Sequence, residues 1–437
     1  MRQKIGIRRE DMYVWERRTP LIPEHLQELR DRHGLNVTVQ SSGRRVFQDE
    51  EYRAAGLPVA EQLSDCPVII GLKEIPLDVI ERGKVYVFFS HTIKGQPHNM
   101  SMLKRILDLG ATIVDYERIV DDAGRRLIFF GNYAGLAGMI DTLWALGQRL
   151  AWEEIHTPLE RVRQASGYAS LGEAKAAISE VGREIRARGL PRPVSPLIIG
   201  VTGYGNVSRG AQEILDLLPL TEMSPAELLS GMPAVDPSRP IVKVLFKEQD
   251  TVTPQVAGKA FDLQEYYHHP ERYRGVFAQF LPSLHVVVNC IYWEPKYPRL
   301  VTRQDVRESF EVGKPRLRVI GDISCDVKGA IEVTVRATEP DDPIYVYDPS
   351  RGTTASGVAG VGPVVMAVEI LPSELPREAS AYFSNILRAF VPQIAAADYL
   401  APLDACGLPP ELKRAVIAYQ GSLAPDYQYL EQHLNSA

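Results

Sequence analysis

The sequence predicts an α/β protein of two or three domains, with a dinucleotide-binding unit in the middle of the chain. The chain has 437 residues, which is long for a single hydrophobic core. Short apolar runs alternate with helical patterns, which is typical of parallel sheets covered by helices. The segment 196–210 has the pattern of a buried strand, a glycine turn and the start of a helix.

Before this segment, apolar runs predict buried strands and amphipathic patterns predict helices. The predicted strands cover residues 4–8, 36–40, 67–72, 85–90 and 112–116, and the predicted helices cover 23–33, which Gly34 ends, and 100–109. A long apolar helix is predicted over 131–153, at the hinge between domains, followed by a polar helical region over 159–188 and a proline-rich linker at 191–196.

The second half of the chain continues the same alternation. Strands are predicted at 197–201, 241–245, 286–290 and 317–321, with a weakly defined strand at 217–222. The helical segment 375–396 is expected to return the chain to the first domain, and 402–437 is expected to be a mostly helical tail.

Composition excludes several functional classes. A net charge of −6 without a basic patch argues against a nucleic-acid partner. No charge-free apolar run approaches the roughly 20 residues that span a bilayer, and the N-terminus lacks the apolar core of a signal peptide. The four cysteines are scattered without metal-ligand spacing, which favours free thiols in a reducing compartment. We therefore expect a cytoplasmic protein with no bound metal and no membrane partner.

The glycine turn has the pattern that holds a dinucleotide pyrophosphate on backbone N–H groups. Gly203 permits the backbone angles of a tight turn, and Gly205 lets the chain approach the phosphates without a Cβ. Ser208 stands where the usual third glycine would be. Glu222 follows at roughly the 20-residue distance at which an acid binds the adenosine ribose of NAD, the alternative being a solvated loop acid. Arg209 would instead suit the 2′-phosphate of NADP, so the pattern leaves the choice open.

Two ionisable residues follow apolar runs in the first part of the chain. Lys73 and His91 would lie at the carboxyl ends of parallel strands, which border the ligand crevice in open α/β sheets. A buried lysine loses its proton more readily than a solvated one, and histidine titrates near neutrality, so together they would supply an acid and a base. The alternative is a solvated lysine and a histidine that hydrogen-bonds a backbone carbonyl.

Two further charged segments are candidates for binding or catalysis. Arginines within 8–20 follow a strand, and their planar forks suit an acidic substrate. The alternative is pairing with Glu10, Asp11 and Glu16 at the surface. Asp322 and Asp326 end another apolar run, where a turn would let them orient an amine or bind ribose. Capping of that turn is the alternative.

These segments, in this order, resemble one known enzyme family. The matching segments are Arg8-Arg-Glu-Asp with Trp15-Glu-Arg-Arg, Phe88-Phe-Ser-His-Thr-Ile-Lys94, Gly135-Leu-Ala-Gly-Met139, Thr202-Gly-Tyr-Gly-Asn-Val-Ser-Arg-Gly-Ala211, Ile291-Tyr-Trp-Glu294, Thr302-Arg-Gln-Asp305 and Asp322-Ile-Ser-Cys-Asp326. Over nearly its whole length the chain resembles the lysine–ketoglutarate reductase half of the bifunctional aminoadipate-semialdehyde synthases. More distantly it is similar to alanine dehydrogenase and lysine-forming saccharopine dehydrogenase.

The resemblance implies two Rossmann-like domains with a cleft between them. The dinucleotide-binding domain, 131–371, would be inserted into a discontinuous substrate domain, 1–130 and 372–437. The implied reaction condenses L-lysine with 2-oxoglutarate and reduces the imine with NADPH to saccharopine, in lysine degradation. NAD remains a possible cofactor, and the oligomeric state is open, a homo-oligomer included.

Site residues carry over from the resemblance one by one. Lys73 and His91 match the acid/base pair, Arg18 matches the arginine that binds a substrate carboxylate, and Asp326 matches the acid beside the nicotinamide. The pyrophosphate loop corresponds to Gly203, Gly205, Asn206, Val207 and Ser208, with Glu222 and Asp322 as ribose candidates. Arg9 is added as a second cation, because a product with several carboxylates needs more than one.

Two other functions remain open at this point. In one, the chain catalyses the same imine reduction on another amine and keto acid. In the other, it is a nucleotide-binding sensor without turnover. A pure binder has no need of an acid/base pair, which argues against the sensor. Because the sequence ends at Ala437, where the saccharopine-oxidising half would begin, we expect a separate enzyme for that step.

Overall fold

The computed structural model describes residues 3–231, 235–311 and 315–434. The strands of these ranges are β1 (Ile5–Ile7), β2 (Val37–Gln40), β3 (Val59–Ala60), β4 (Val68–Ile70), β5 (Val85–Phe88), β6 (Thr112–Asp115), β7 (Leu197–Thr202), β8 (Leu220–Met223), β9 (Ile241–Phe246), β10 (Val252–Pro254), β11 (Tyr273–Gly275), β12 (Val286–Asn289), β13 (Val319–Asp322), β14 (Ile344–Asp348), β15 (Thr353–Ser356), β16 (Val364–Met366), β17 (Val416–Tyr419) and β18 (Ser422–Leu423). The α-helices are α1 (Pro23–His33), α2 (Asp49–Ala54), α3 (Pro97–Asp108), α4 (Gly131–Trp152), α5 (Leu171–Arg188), α6 (Asn206–Leu215), α7 (Pro225–Ser230), α8 (Glu248–Thr251), α9 (Leu263–His268), α10 (Arg303–Glu311), α11 (Pro376–Leu387), α12 (Val391–Ala396), α13 (Pro410–Lys413) and α14 (Glu431–Leu434).

The chain divides into two compact units, one of them discontinuous. Unit 1 consists of Met1–Phe130 and Pro376–Ala437, and unit 2 is the contiguous segment Gly131–Leu375. Each unit has its own eight-stranded sheet, so the predicted α/β class with two parallel-dominated sheets is confirmed. Unit 2 ends at Leu375, whereas the resemblance had placed that boundary after residue 371.

The sheet of unit 1 has the order β18-β17-β6-β5-β4-β1-β2-β3. The strands β1 to β6 pair in parallel, so the loops that follow β1, β4, β5 and β6 leave from the same edge. Buried apolar side chains from these strands and from α11 and α12 form one core. The helix α1 begins and ends as predicted, with Gly34 at φ 60° donating its N–H to Arg30 O over 2.8 Å.

The prediction of a mostly helical tail is wrong at two places, where the chain forms the short strands β17 and β18. β17 pairs antiparallel with β6, and β18 pairs antiparallel with β17, so the tail extends the sheet of unit 1. Its apolar run Val416-Ile-Ala-Tyr is only four residues long, and such a run has no period that separates strand from helix. Residues 435–437 of the predicted tail lie outside the described part of the chain.

The sheet of unit 2 has the order β15-β14-β16-β13-β12-β7-β9-β8. The central strands pair in parallel, while β14 and β15 are antiparallel to their neighbours. The strand β8, which follows the glycine turn and α6 in the chain, lies at the outer edge. The next strand along the chain, β9, lies beside β7 instead.

Helix α4 is buried along most of its length and crosses α6 at small residues. A Cβ at Gly135 would lie 2.8 Å from Ala211 N and closer still to Val207 O, and a Cβ at Gly210 would collide with Asn132 O. Glycine at both positions therefore lets the two backbones touch. None of the helices in the described ranges, α4 included, is long and apolar enough to cross a membrane.

Asp141 of α4 forms a buried carboxyl pair with Glu374. The backbone N–H of Ala165 donates to Asp141 Oδ1 over 2.7 Å, and that of Ser166 donates to Glu374 Oε2 over 3.2 Å. Burial, followed by the charge and hydrogen bond of Asp141, raises the pKa of Glu374 well above its usual value, and burial raises that of Asp141 to about 6. Glu374 therefore keeps its proton at neutral pH and donates it to Asp141.

This pair makes stability depend on pH in a defined direction. Because the folded-state pKa of Glu374 is raised, its contribution is complete below about pH 4 and is lost as the pH rises. Glu374→Gln supplies a permanent donor, so we expect the free energy of unfolding at pH 8 to rise by about 2 kcal/mol, with little change at pH 4. Urea unfolding at both pH values measures this. Glu50→Gln, at a carboxylate 79 % exposed, is the control and should change neither value.

Candidate functional site

Lys73 follows β4 at the carboxyl edge of the sheet in unit 1, as predicted. Its backbone N–H donates to Glu10 Oε2 over 3.0 Å, and the N–H of Leu72 donates to Glu10 Oε1 over 2.7 Å. Glu10 itself follows β1, so one buried carboxylate joins the loops after two neighbouring strands. These hydrogen bonds fix the backbone of Lys73, which is half-buried.

His91 lies after β5, beside Lys73 in the same row of loops. Its backbone has φ 48°, a left-handed conformation, and its carbonyl accepts a hydrogen bond from Asn99 Nδ2 over 3.2 Å. Its ring Nδ1 contacts Glu74 Oε1, and the ring stacks on Phe89 with centroids 6.1 Å apart. The alternative of a histidine whose ring bonds only a backbone carbonyl does not describe this geometry.

Glu74 remains ionised because its neighbours His91 and Lys73 favour the charged carboxylate. Burial alone would raise its pKa, but the hydrogen bond and charge of His91 and the charge of Lys73 outweigh burial and lower it. A carboxylate at Nδ1 fixes the orientation of the imidazole and leaves Nε2 to exchange protons. Sequence reasoning missed Glu74, which follows Lys73 directly and looks like an ordinary loop acid.

Arg18 and Glu16 form a buried ion pair in the segment after β1. Arg18 Nε donates to Glu16 Oε1 over 2.8 Å and Nη2 donates to Oε2 over 2.6 Å, with the residues 4 % and 2 % exposed. The guanidinium lies 4.4 Å from the centroid of the Phe130 ring. The alternative of surface pairing is wrong for this arginine, because both partners are inside the protein.

The charged side chains after β1 and β4 lie close enough to shift the pKa values of Glu16 and Glu10. Burial would raise the pKa of Glu16, but Arg18 and then Lys73 outweigh it and lower the value. Burial, reinforced by Glu16, instead raises the pKa of Glu10 to about 7. The charge of Lys73 contributes to the lowered pKa of Glu16, so the segment that holds Arg18 and the loop that holds Lys73 interact electrostatically. Neither acid was a predicted site residue, since charged runs such as Trp15-Glu-Arg-Arg usually lie at the surface.

The next strand end carries a further buried acid. Asp115, the last residue of β6, accepts hydrogen bonds from the backbone N–H of Ser90 over 3.1 Å and from its hydroxyl. Burial, followed by the charge of Glu117, raises the pKa of Asp115 to about 6. Ser90 directly precedes His91, so Asp115 fixes the start of the histidine loop.

Arg9 lies nearer to solvent. Its Nη1 donates to Ser41 O over 3.2 Å and to Glu61 Oε2 over 3.4 Å. Its side chain is 39 % exposed. Arg9 and Arg18 both follow β1, but Arg9 is partly exposed to solvent whereas Arg18 is buried. Its role in binding substrate stays a prediction.

Removal of the Arg18 guanidinium should destabilise the protein strongly. Arg18→Gln leaves Glu16 buried without its partner, so we expect a loss of about 3 kcal/mol in the free energy of unfolding at pH 7. Because the folded-state pKa of Glu16 is lowered, the contribution of the pair is present above its ordinary pKa of about 4.3 and is lost as the pH falls. Urea unfolding at pH 7 and pH 4 measures both effects.

Two variants make this result specific. Arg32→Gln removes an exposed arginine, 73 % accessible and paired with Glu28, and should change stability by less than about 0.5 kcal/mol. In the double variant Arg18→Gln/Glu16→Gln, no buried charge remains, so the loss should be smaller than for Arg18→Gln alone. Equal losses for the exposed and the buried arginine would contradict the buried pair.

The glycine turn of unit 2 follows β7 at the carboxyl edge of the central sheet. Gly203 has φ 84° and donates its N–H to Phe246 O over 2.9 Å, while a Cβ built at Gly205 meets no atom within 4 Å. Gly205 is the N-cap of α6 and no side chain caps that helix. Open space beside an uncapped helix N-terminus fits a pyrophosphate.

The other residues of the loop begin α6. Asn206 and Val207 belong to its first turn, where backbone N–H groups have no acceptor within the helix. Ser208 is fully buried, and its Oγ accepts a hydrogen bond from Gln212 Nε2 over 3.0 Å. A serine in place of the third glycine is thus accommodated inside the fold. Contact of these residues with a nucleotide stays a prediction.

A chain of polar side chains joins the ends of three neighbouring strands. Thr202 Oγ1 donates to Asn289 Oδ1 over 3.1 Å, and Asn289 Nδ2 donates to Asp322 Oδ1 over 2.8 Å. Thr334 Oγ1 donates to the second oxygen of Asp322 over 2.5 Å. Asp322 is only 1 % exposed, and burial raises its pKa to about 6. The described geometry gives Asp322 a role in fixing these loops. A direct contact of Asp322 with ribose stays a prediction.

Asp326 lies on the exposed turn after β13. Cys325 and Lys328 on either side of it have φ 52° and 54°, and Asp326 O accepts a hydrogen bond from Gly329 N over 2.8 Å. The predicted turn between the two aspartates is therefore present. It exposes Asp326 while Asp322 stays buried.

Glu222 lies on the edge strand β8, away from the glycine turn. Its carboxylate binds Lys243 Nζ over 2.8 Å, and Asp216 binds the same ammonium over 2.7 Å. The structure does not bring Glu222 to the turn. Sequence spacing suggested otherwise because it assumes that the strand after α6 lies beside β7.

The cysteines and acids of the described ranges do not cluster as metal ligands do. All four cysteines fall in the described ranges and carry free thiols. Within those ranges, no group of three or more His, Cys, Asp or Glu side chains is placed to hold a metal ion.

A glycine turn that enters a helix at the carboxyl edge of a parallel sheet defines the dinucleotide-binding class of α/β proteins. Residues 6–137 match the family model described as alanine dehydrogenase/PNT, N-terminal domain. A solved L-alanine dehydrogenase shares the fold, with a TM-score of 0.62 at 16 % identity over 99 % of both chains.

Relatives of known name define the family more narrowly. The chain is 39 % identical to the alpha-aminoadipic semialdehyde synthase of Arabidopsis thaliana over 98 % of its length and 41 % of that protein. It is 30 % identical to a saccharopine dehydrogenase (NAD(+), L-lysine-forming) of Neurospora crassa, over 85 % of this chain and 86 % of the relative. The chain belongs to the lysine-forming saccharopine dehydrogenase family. It spans less than half the length of the semialdehyde synthases that it matches.

Proposed function

We propose that this chain is a reductase that joins the ε-amine of L-lysine to 2-oxoglutarate and reduces the resulting imine to saccharopine. The observation that carries the proposal is the pair of Lys73 and His91 at one sheet edge, with Glu74 on the imidazole. Its relatives support it, since their names include semialdehyde synthase and lysine-forming saccharopine dehydrogenase. Unit 1 would bind the substrates and unit 2 the nucleotide.

The proposed cofactor is a reduced nicotinamide dinucleotide, which supplies a hydride when bound. The resemblance implies NADPH, while the fungal relatives carry NAD(+) in their names. Gly203, Gly205 and the first turn of α6 would hold its pyrophosphate. Asp326, exposed on its turn, would face the nicotinamide end.

Proton transfer is the part of the reaction that the chain's own side chains must supply. The ε-amine of free lysine has a pKa of about 10.4 and must lose a proton before it attacks a ketone. The carbinolamine then needs a proton on its hydroxyl to release water. Lys73 and His91 would provide the base and the acid. Because Glu74 engages Nδ1, proton exchange would occur at Nε2 of His91.

Cationic side chains would bind the carboxylates of the substrates. Arg18 directs Nε and Nη2 at Glu16, so Nη1 is the nitrogen that would meet a substrate carboxylate. Arg9, after the same strand, would supply the second positive charge. A buried guanidinium held by its own carboxylate is fixed in orientation before substrate arrives.

The direct test follows nucleotide consumption with lysine and 2-oxoglutarate, omitting each component in turn and using NADPH and NADH separately. Consumption that requires both substrates, with saccharopine identified by mass spectrometry, would support the proposal. Consumption with a different amine or keto acid would keep imine reduction but replace the substrates. Nucleotide binding without consumption for any pair would favour a sensor.

A further inference from the structure

The end of β9 lies directly beside the glycine turn. Thr202 and Phe246, the last residues of β7 and β9, are register partners, and the N–H of Gly203 donates to Phe246 O over 2.9 Å. The next residues, Lys247 and Glu248, therefore emerge at the carboxyl edge next to the turn. In dinucleotide-binding sheets this is the position that faces the adenosine ribose.

Glu222 does not share that position. It pairs with Lys243, three residues before the end of β9, so it lies roughly 10 Å back from the carboxyl edge at about 3.3 Å per residue. It is also one strand further out, and its carboxylate is already bound to the Lys243 ammonium. Because β9, and not β8, lies beside β7, the acid that faces the ribose would be Glu248 and not Glu222.

Glu248 is held in place by two tyrosines. Tyr267 Oη donates to Glu248 Oε1 over 2.8 Å, and Tyr204 Oη contacts the same oxygen at 3.4 Å. Tyr204 lies between the two glycines of the turn, so it connects the acid to the pyrophosphate loop. Burial and the hydrogen bond to Glu248 raise the pKa of Tyr267, which keeps that hydroxyl a donor. With both tyrosines on Oε1, Oε2 can accept ribose hydroxyls.

A carboxylate at this position discriminates between NADH and NADPH. It accepts hydrogen bonds from the ribose hydroxyls of NADH, whereas a 2′-phosphate, carrying between about one and two negative charges, would be repelled. The neighbouring cation is Lys247, an exposed residue whose Nζ lies 5.9 Å from the centroid of the Tyr204 ring. Lys247 is not oriented in the way that the tyrosines orient Glu248.

We propose that Glu248 binds the adenosine ribose and makes the chain prefer NADH to NADPH. This inference rests on the proposed function, because it requires that the glycine turn binds a dinucleotide. It replaces Glu222 as the ribose residue and reverses the cofactor preference that the resemblance implies.

The test measures dissociation constants for NADH and NADPH with the full chain, by the fluorescence of the bound nucleotide. We expect the wild type to bind NADH at least roughly tenfold more tightly, a difference that two charge-assisted hydrogen bonds supply. Glu248→Gln should weaken NADH and strengthen NADPH until the ratio is within about threefold of one. Glu180→Gln, at an exposed acid of α5, is the control and should keep the wild-type ratio.

Three results would overturn the inference while leaving dinucleotide binding in place. One is a wild type that prefers NADPH and loses that preference in Lys247→Gln, which would make the site a phosphate site. Another is an unchanged ratio in Glu248→Gln, and the third is a changed ratio in Glu222→Gln alone. Failure of the wild type to bind either nucleotide would refute the proposed cofactor and this inference together. Tight NADH binding without turnover on lysine and 2-oxoglutarate would refute only the substrate assignment.

Discussion

Replacing Lys73 with methionine, or His91 with glutamine, is expected to lower turnover of lysine and 2-oxoglutarate roughly 10²- to 10⁴-fold, the range that general acid–base catalysis contributes. Each variant keeps most of the side-chain volume and removes the proton-carrying nitrogen. Steady-state nucleotide consumption measures the loss. Nucleotide binding should be unchanged, because Gly203 and Gly205 belong to the other unit.

Exposed residues of the same types provide the controls. Lys104→Met and His156→Gln alter side chains that are 62 % and 76 % accessible, and both should retain wild-type turnover. A pH profile adds a second readout, because loss of one member of an acid/base pair should remove one limb of a bell-shaped dependence. Wild-type turnover in both Lys73→Met and His91→Gln, with the fold intact, would refute the acid/base assignment.

Gly135→Ala is expected to destabilise unit 2 by about 3 kcal/mol, a large effect for a single methyl group. The added Cβ would lie 2.8 Å from Ala211 N and closer to Val207 O, and both are backbone atoms that no rotamer change can move. Helix α6 must therefore shift away from α4. Since α6 begins at the glycine turn, we also expect weaker nucleotide binding. Urea unfolding and nucleotide fluorescence measure the two effects.

The matched control is a helical glycine with room around it. At Gly172 in α5 the nearest atom to a new Cβ is Ser170 Oγ, 3.7 Å away. Gly172→Ala should leave stability unchanged or raise it by up to about 1 kcal/mol, through helix propensity. If both alanine variants were equally stable, the close crossing of α4 and α6 would be contradicted.

Local patterns were sufficient where a residue's role is decided by its neighbours in the chain. The glycine turn, the end of α1 at Gly34 and the buried strands around Val68 and Val85 all follow from short-range composition. So does the position of Lys73 and His91, since residues after parallel strands necessarily reach the same edge. For these features the sequence-based predictions agree with the structure.

Features decided by distant partners were not predictable in the same way. Glu16 looks like a surface acid in a charged run, and only its pairing with Arg18 inside the fold explains its burial. The exchange of β8 and β9 depends on how the chain crosses the sheet, which spacing after Gly203 does not contain. The strand β17 is defined by its pairing with β6 rather than by its own four residues.

The discontinuity of unit 1 has a consequence for how the protein is made. Residues 131–375 are contiguous and can begin folding on the ribosome as soon as they emerge. Unit 1 must wait for its second segment, which begins at Pro376, because the N–H of Thr19 bonds to Ser380 Oγ and that of Asp115 bonds to Ala415 O. Its N-terminal part would thus remain incomplete, with apolar surface uncovered, throughout synthesis of the inserted unit, and this is the interval in which it would be most prone to aggregate.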